Sequence, residues 1–101
     1  MARVAVLCPD LLFGSKIQGM LVAAGHEALP VRSAGEASGA DALVVDLHET
    51  LERADGVPAL GFYSHVDQET RRRAEEAGFD RVVPRSRLAR EGAAIVEGLL
   101  K

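Results

Sequence analysis

The chain has one cysteine, no tryptophan, no asparagine and only 4% aromatic residues. Each scarcity removes a class of protein. Cys8, being alone, can form neither an internal disulfide nor a cysteine-based zinc cluster, so the expected compartment is a reducing cytoplasm. So few rings provide no aromatic platform for nucleic-acid bases. A dominant charge is missing too: 12 Lys+Arg face 15 Asp+Glu for a formal net of −3, and no overall field argues for nucleic acid or an anionic membrane. No apolar run approaches the roughly 20 residues needed to span a bilayer, and the first residues carry no charged segment followed by a long apolar stretch. A soluble cytoplasmic chain is the expectation. Gln18 and Gln68 are the only side-chain amides and arginine carries most of the positive charge, a thermophile-like bias that GC-rich coding also produces.

What is present points to one domain spanning residues 1–101, because 48% hydrophobic content over 101 residues suits a single modest core. The order of elements says more. Val4 to Cys8 is a short continuous apolar run, the pattern of a strand buried on both faces, and Pro9-Asp10 breaks it. From Leu11 to Ala24, Phe13, Ile17, Met20, Leu21 and Ala24 fall at helical spacing, and Gly25 is placed to end the helix. Ala28 to Val31 reads as a second strand, pushed to a sheet edge by Pro30. Ser33 to Ala40 is rich in Gly, Ala and Ser, which predicts at most two weak helical turns. Ala42 to Asp46 is an apolar strand that stops on a carboxylate, and such strand ends are where open α/β sheets place their sites. The simpler role for Asp46 is to cap the following turn.

Beyond Asp46, Thr50 is expected to cap a turn or two of helix through Ala54 before Asp55-Gly56 turns the chain. Pro58 to Tyr63 is the fourth strand, with Ser64-His65 at its end. Asp67 can cap the next helix, along which Arg71, Arg72 and Arg73 alternate with Glu69, Glu75 and Glu76, and Gly78 closes it. Val82-Val83 form a fifth strand, Pro84 ends it, and Ser86 can cap a last helix carrying Leu88, Ala89, Ile95, Val96, Leu99 and Leu100. Strands alternating with helical segments predict a parallel sheet covered on both faces.

With these residues in place, the chain resembles the receiver domains of two-component response regulators. Asp41-Ala-Leu-Val-Val-Asp46-Leu47 looks like the third-strand motif whose final aspartate accepts a phosphoryl group. Gly61-Phe62-Tyr63-Ser64 resembles the fourth strand, whose terminal Ser or Thr follows the phosphorylation state. Counted from Gly78, Arg85 falls where the family carries a lysine, whereas matching the prolines puts Val83 there. The resemblance covers nearly the whole chain. It implies a single-domain α/β fold of flavodoxin-like, CheY-like type, with three layers, sheet order 2-1-3-4-5 and shortened second and third helices.

Departures from the family shape the functional expectation. The acidic pair that holds Mg²⁺ at the end of the first strand is replaced by Cys8 and Pro9, with Asp10 one residue later. Mg²⁺ prefers oxygen ligands, so Asp10 with Asp46 is at best a weak metal pair and no cofactor is expected. An arginine presents a broad planar fork in place of a compact point charge. The leading expectation is a non-catalytic, pseudo-receiver signalling module that binds another signalling protein or a second copy of itself. The family's usual docking face corresponds to positions around Arg72, Arg81, Arg87 and Arg90, and Leu99 and Leu100 are candidates for a dimer contact. Two alternatives stay open: an atypical regulator phosphorylated on Asp46, with Asp10 as the remaining metal ligand, and a small-molecule or anion binder in the strand-end crevice.

Other groups have plainer roles. The arginine triplet is neutralised by its own helix, which favours a solvated salt-bridged face over nucleic-acid contact. Arg85 and Ser86 could hold a phosphate at the last helix's start, although capping by Ser86 is simpler. His48 and His65 lie just beyond strand ends and lack a third fixed ligand. His26 reads as a turn residue and Cys8 as a small packed side chain.

Overall fold

The computed structural model describes residues 2–64 and 68–101. Five strands, β1 (Arg3–Leu7), β2 (Glu27–Pro30), β3 (Ala42–Asp46), β4 (Ala59–Tyr63) and β5 (Arg81–Pro84), form one sheet in the order β2-β1-β3-β4-β5. Every pairing is parallel, with Val6 opposite Val44, Val44 opposite Leu60 and Phe62 opposite Val83. This is the flavodoxin-like order. The continuous apolar runs are explained by burial on both faces: Ala42, Leu43, Val44 and Val45 are all fully buried.

Alternation along the strands divides the core in two. Val4, Val6, Val44, Leu60, Phe62 and Val83 face helices α1 (Leu11–Ala23) and α3 (Arg85–Leu100), which contribute Ile17, Leu21, Leu88, Ile95 and Val96. Ala5, Leu7, Leu43, Val45 and Tyr63 face the opposite layer, where helix α2 (Gln68–Glu76) supplies Ala74. Large side chains such as Phe62, Leu43 and Leu60 each stabilise the fold by about 1.5–3 kcal/mol through burial. Pro30 sits on edge strand β2 as expected, because an edge tolerates a residue without an N–H.

The second layer is thinner than the first. The β2–β3 connection holds a single 3₁₀ turn, Ala34–Ala37, and the expected helix over Thr50–Ala54 does not form. Instead the Thr50 hydroxyl oxygen accepts the N–H of Glu52 at 3.0 Å, a local turn two residues long. Residues 47–58 run without a helix, while Leu47, Ala54 and Val57 are buried from that segment. Its hydrophobic anchors are worth more than one isolated helical turn, whose nucleation is costly. Arg53 fixes the segment from outside by donating its Nε–H to the Ala77 carbonyl at 2.7 Å, beyond the end of α2.

Three further positions differ from the sequence expectations. Helix α3 starts at Arg85 with Pro84 as its N-cap residue and no side-chain cap, so Ser86 lies inside the helix. Proline's preset φ starts the helix there without a capping hydroxyl. His26 is buried rather than a surface turn residue: its Nδ1 accepts the Ala2 N–H at 3.2 Å and its Nε2 lies 2.5 Å from Glu97 Oε1. These two bonds join the residue before β1 to α3. Leu99 and Leu100 are half-buried against the α1/α3 core rather than exposed; among the described residues, the large apolar side chains that are exposed are Leu11, Leu12 and Val22. The expected cap Asp67 and the strand-end His65 lie outside the described residues. Among the described residues, no helix is long and apolar enough to cross a membrane.

Candidate functional site

The carboxyl ends of β1, β3 and β4 converge on one edge of the sheet, where the sequence placed Cys8, Asp46 and Ser64. Asp46 ends β3 half-buried, with Oδ1 accepting the His48 N–H at 3.0 Å. Its backbone carbonyl accepts the Glu49 N–H at 2.9 Å, so the turn-capping role is realised. One carboxylate oxygen is committed to the turn.

Asp10 is committed more completely. As the N-cap residue of α1 it accepts the Phe13 N–H on Oδ1 at 3.0 Å, and Oδ2 accepts Arg85 Nη2 at 2.7 Å. The Phe13 bond, followed by the Arg85 bond, holds its carboxyl below the usual range. The sequence had offered Asp10 as a metal ligand beside Asp46. An aspartate directly before an apolar helical run is also a standard N-cap signal, and that is the role Asp10 takes.

Arg85 is fixed on two sides. Its guanidinium carbon lies 4.2 Å from the centroid of Phe13, and Phe13 leans on Phe62 with centroids 5.2 Å apart. Stacking and the ion pair together orient the fork. Arg85 Nε is buried without a hydrogen-bond partner among the described residues, so one strong donor is held out of water unsatisfied. Val83, the other register's candidate, is 1% exposed in the core. Of these two, Arg85 is the one that reaches the crevice, at Asp10.

Cys8 lies between these groups. Its Sγ is 3.8 Å from the Asp10 carbonyl, and Gly14 of α1 lies so close that an added Cβ would meet the Cys8 carbonyl at 3.1 Å. Burial raises the thiol pKa first, the Asp46 and Asp10 carboxylates add to the rise, and the Asp10 backbone and Arg85 oppose it. The thiol stays protonated at neutral pH. Among the described residues, no three His, Cys, Asp or Glu side chains come together as a metal-ligating group.

Ser64 faces a partner the sequence did not assign to it. His48 Nε2 lies 2.8 Å from Ser64 Oγ and accepts the Ser64 N–H at 3.2 Å. The N–H bond requires a lone pair on Nε2, so the ring proton of neutral His48 is on Nδ1 and the hydroxyl donates as well. Two loop cavities flank this end of the sheet. One, of about 340 Å³, lies between the β3–β4 segment and α2; the other, of about 410 Å³, lies between that segment and the ends of β1 and β2.

No family model matches the chain, and no curated protein matches it. Solved structures do. An orphan response regulator of H. pylori, HP1043, superposes with a TM-score of 0.78 at 18% identity, over 99% of this chain and 97% of that one. A response regulator receiver protein from Burkholderia phymatum gives 0.80 at 21% identity, over 99% and 95%. NtrX from Brucella abortus in complex with ATP gives 0.84 at 18% identity over 98% of this chain, which spans only 26% of that protein. At such identities the likeness is one of backbone architecture, and the chain has the flavodoxin-like fold of response-regulator receiver domains.

Proposed function

We propose that the chain is a receiver-like signalling module that works by contact with another signalling protein or a second copy of itself, with its ancestral phosphorylation pocket depleted. The observation that carries this reading is the commitment of Asp10. Its Oδ1 caps α1 through the Phe13 N–H and its Oδ2 holds Arg85, so sharing a divalent cation with Asp46 would set the cation against the Arg85 guanidinium on the same carboxylate. A protonated thiol and a proline stand at the neighbouring positions, and neither suits Mg²⁺. The residues present do not fit the metal.

Arg85 and Ser64 support the same reading. Transfer of a phosphoryl group to a carboxylate needs its equatorial oxygens neutralised. Arg85 is held on Asp10 and Phe13, while the Ser64 hydroxyl is held by His48. Both would have to leave existing partners to meet a phosphoryl group on Asp46. Docking would use the face of α2, β5 and α3, where Arg72 pairs with Glu69 and Glu76, Arg87 and Arg90 approach Glu91, and Arg81 is exposed. Such a face presents mixed charge to a partner.

Titration with beryllofluoride and Mg²⁺ tests the reading. No saturable binding is expected. Tight binding that disappears in Asp46→Asn would replace this reading with a working phosphoacceptor.

A further inference from the structure

The helix-free segment between β3 and β4 leaves a cavity of about 340 Å³ against α2, lined by Leu47, His48, Glu49, Thr50, Leu51 and Arg73 together with Thr70. Its volume lies at the lower end of the roughly 300–1,000 Å³ typical of small-molecule sites. The polar groups around it are matched in a particular way. Arg71 and Arg72, the neighbours of Arg73, pair with Glu75 and with Glu69 and Glu76, whereas Arg73 has no acidic partner among the described residues. Glu49 lines the same cavity and its carboxylate also has no partner among the described residues. A cation and an anion thus share one small cavity without forming an ion pair.

Thr50 and His48 in the lining offer donors. Thr50 Oγ1 already accepts the Glu52 N–H, which leaves its hydroxyl hydrogen available. His48 Nε2 is turned to Ser64, which lies outside the lining, so the ring presents the Nδ1–H as its other polar group. Arg73 only donates. Three donors and one carboxylate suit a ligand with its own carboxylate and its own ammonium. Leu47, buried, and Leu51, half-buried, give the cavity an apolar part.

We infer that this cavity is a binding site for a small apolar α-amino acid. The ligand carboxylate meets Arg73, Thr50 and His48, the ammonium meets Glu49, and the side chain lies on Leu47 and Leu51. Unlike a simple anion, such a zwitterion satisfies both unpaired charges at once, and the arginine fork suits a carboxylate geometrically. Occupancy also holds His48 in the tautomer that engages Ser64, linking the cavity to the strand-end site.

The test is an amide chemical-shift titration of the full chain with leucine, glycine, acetate, methylammonium and inorganic phosphate. Saturable millimolar shifts at His48, Thr50 and Arg73 are expected with leucine, with about tenfold weaker binding of acetate and methylammonium and intermediate affinity for glycine. Arg73→Gln and Glu49→Gln, each checked for an unchanged unfolding temperature, abolish the leucine shifts, and Arg71→Gln keeps them. The inference is overturned if neither amino acid saturates, if acetate or phosphate binds as tightly as leucine, or if Arg73→Gln binds like the parent.

Discussion

Replacing Gly61 with alanine probes how the helix-free β3–β4 segment is held on the sheet. Gly61 is buried in β4, and a Cβ there would lie 2.7 Å from Leu47 Cδ2 and 2.9 Å from Leu47 Cγ. Leu47 cannot simply swing away. It is 6% exposed, and its N–H donates to the Phe62 carbonyl at 2.9 Å, which ties its backbone to the strand that carries the new methyl. Overpacking of this kind costs about 1–3 kcal/mol. The alanine recovers about 0.4–1 kcal/mol by restricting the unfolded chain, so the expected net loss is on the order of 1 kcal/mol and at most about 2.6 kcal/mol. For a domain near 100 residues, each kcal/mol corresponds to a fall of about 4–8 °C in Tm. Urea unfolding monitored by circular dichroism measures the loss directly. The decisive comparison repeats Gly61→Ala in a Leu47→Ala background, where the clashing atoms are gone and the substitution should cost almost nothing. Equal destabilisation in both backgrounds would refute the reasoning.

Three further outcomes follow from the geometry. Asp10 has a lowered carboxyl pKa, so its stabilisation is present above the ordinary value of 3.8 and is lost as pH falls through its folded value; Asp10→Asn should therefore flatten the acid-side fall of Tm, and an unchanged slope would argue against the Phe13 and Arg85 bonds. Cys8, with its raised thiol pKa, should react with iodoacetamide more slowly in the folded chain than in urea, as followed by intact mass; equal rates would contradict its protonated state. His26→Ala removes the acceptor of the Ala2 N–H and the partner of Glu97, and should cost about 1–3 kcal/mol in urea unfolding, whereas a loss under half a kcal/mol would make that buried junction incidental.

Much of the architecture was legible because it rests on local periodicity. Ala42–Asp46 reads as a doubly buried strand from its unbroken apolar run, and Ile17 with Leu21 reads as one helical face from spacing alone. Thr50–Ala54 misled because Thr50 followed by Leu, Glu, Arg and Ala has local helix chemistry, while the actual conformation is decided by burying Ala54 and Val57 and by Arg53 reaching Ala77. The same limit applies to the site. Asp46 and Ser64 could be placed at strand ends from sequence, but the Asp10–Arg85 bond joins residues 75 positions apart, and Phe13, in the helix that Asp10 caps, stacks on the arginine from α3. His26 pairs with Glu97 across 71 positions. A lone histidine after a glycine carries no local mark of such a partner.

Asp46 keeps its place at the end of β3, and its loss of phosphoryl transfer is the proposal most exposed to experiment. Intact-mass measurement after incubation with acetyl phosphate and Mg²⁺ tests this most directly. The account predicts no phosphoryl adduct on the full chain; an adduct that forms in the parent and is absent in Asp46→Asn would contradict it.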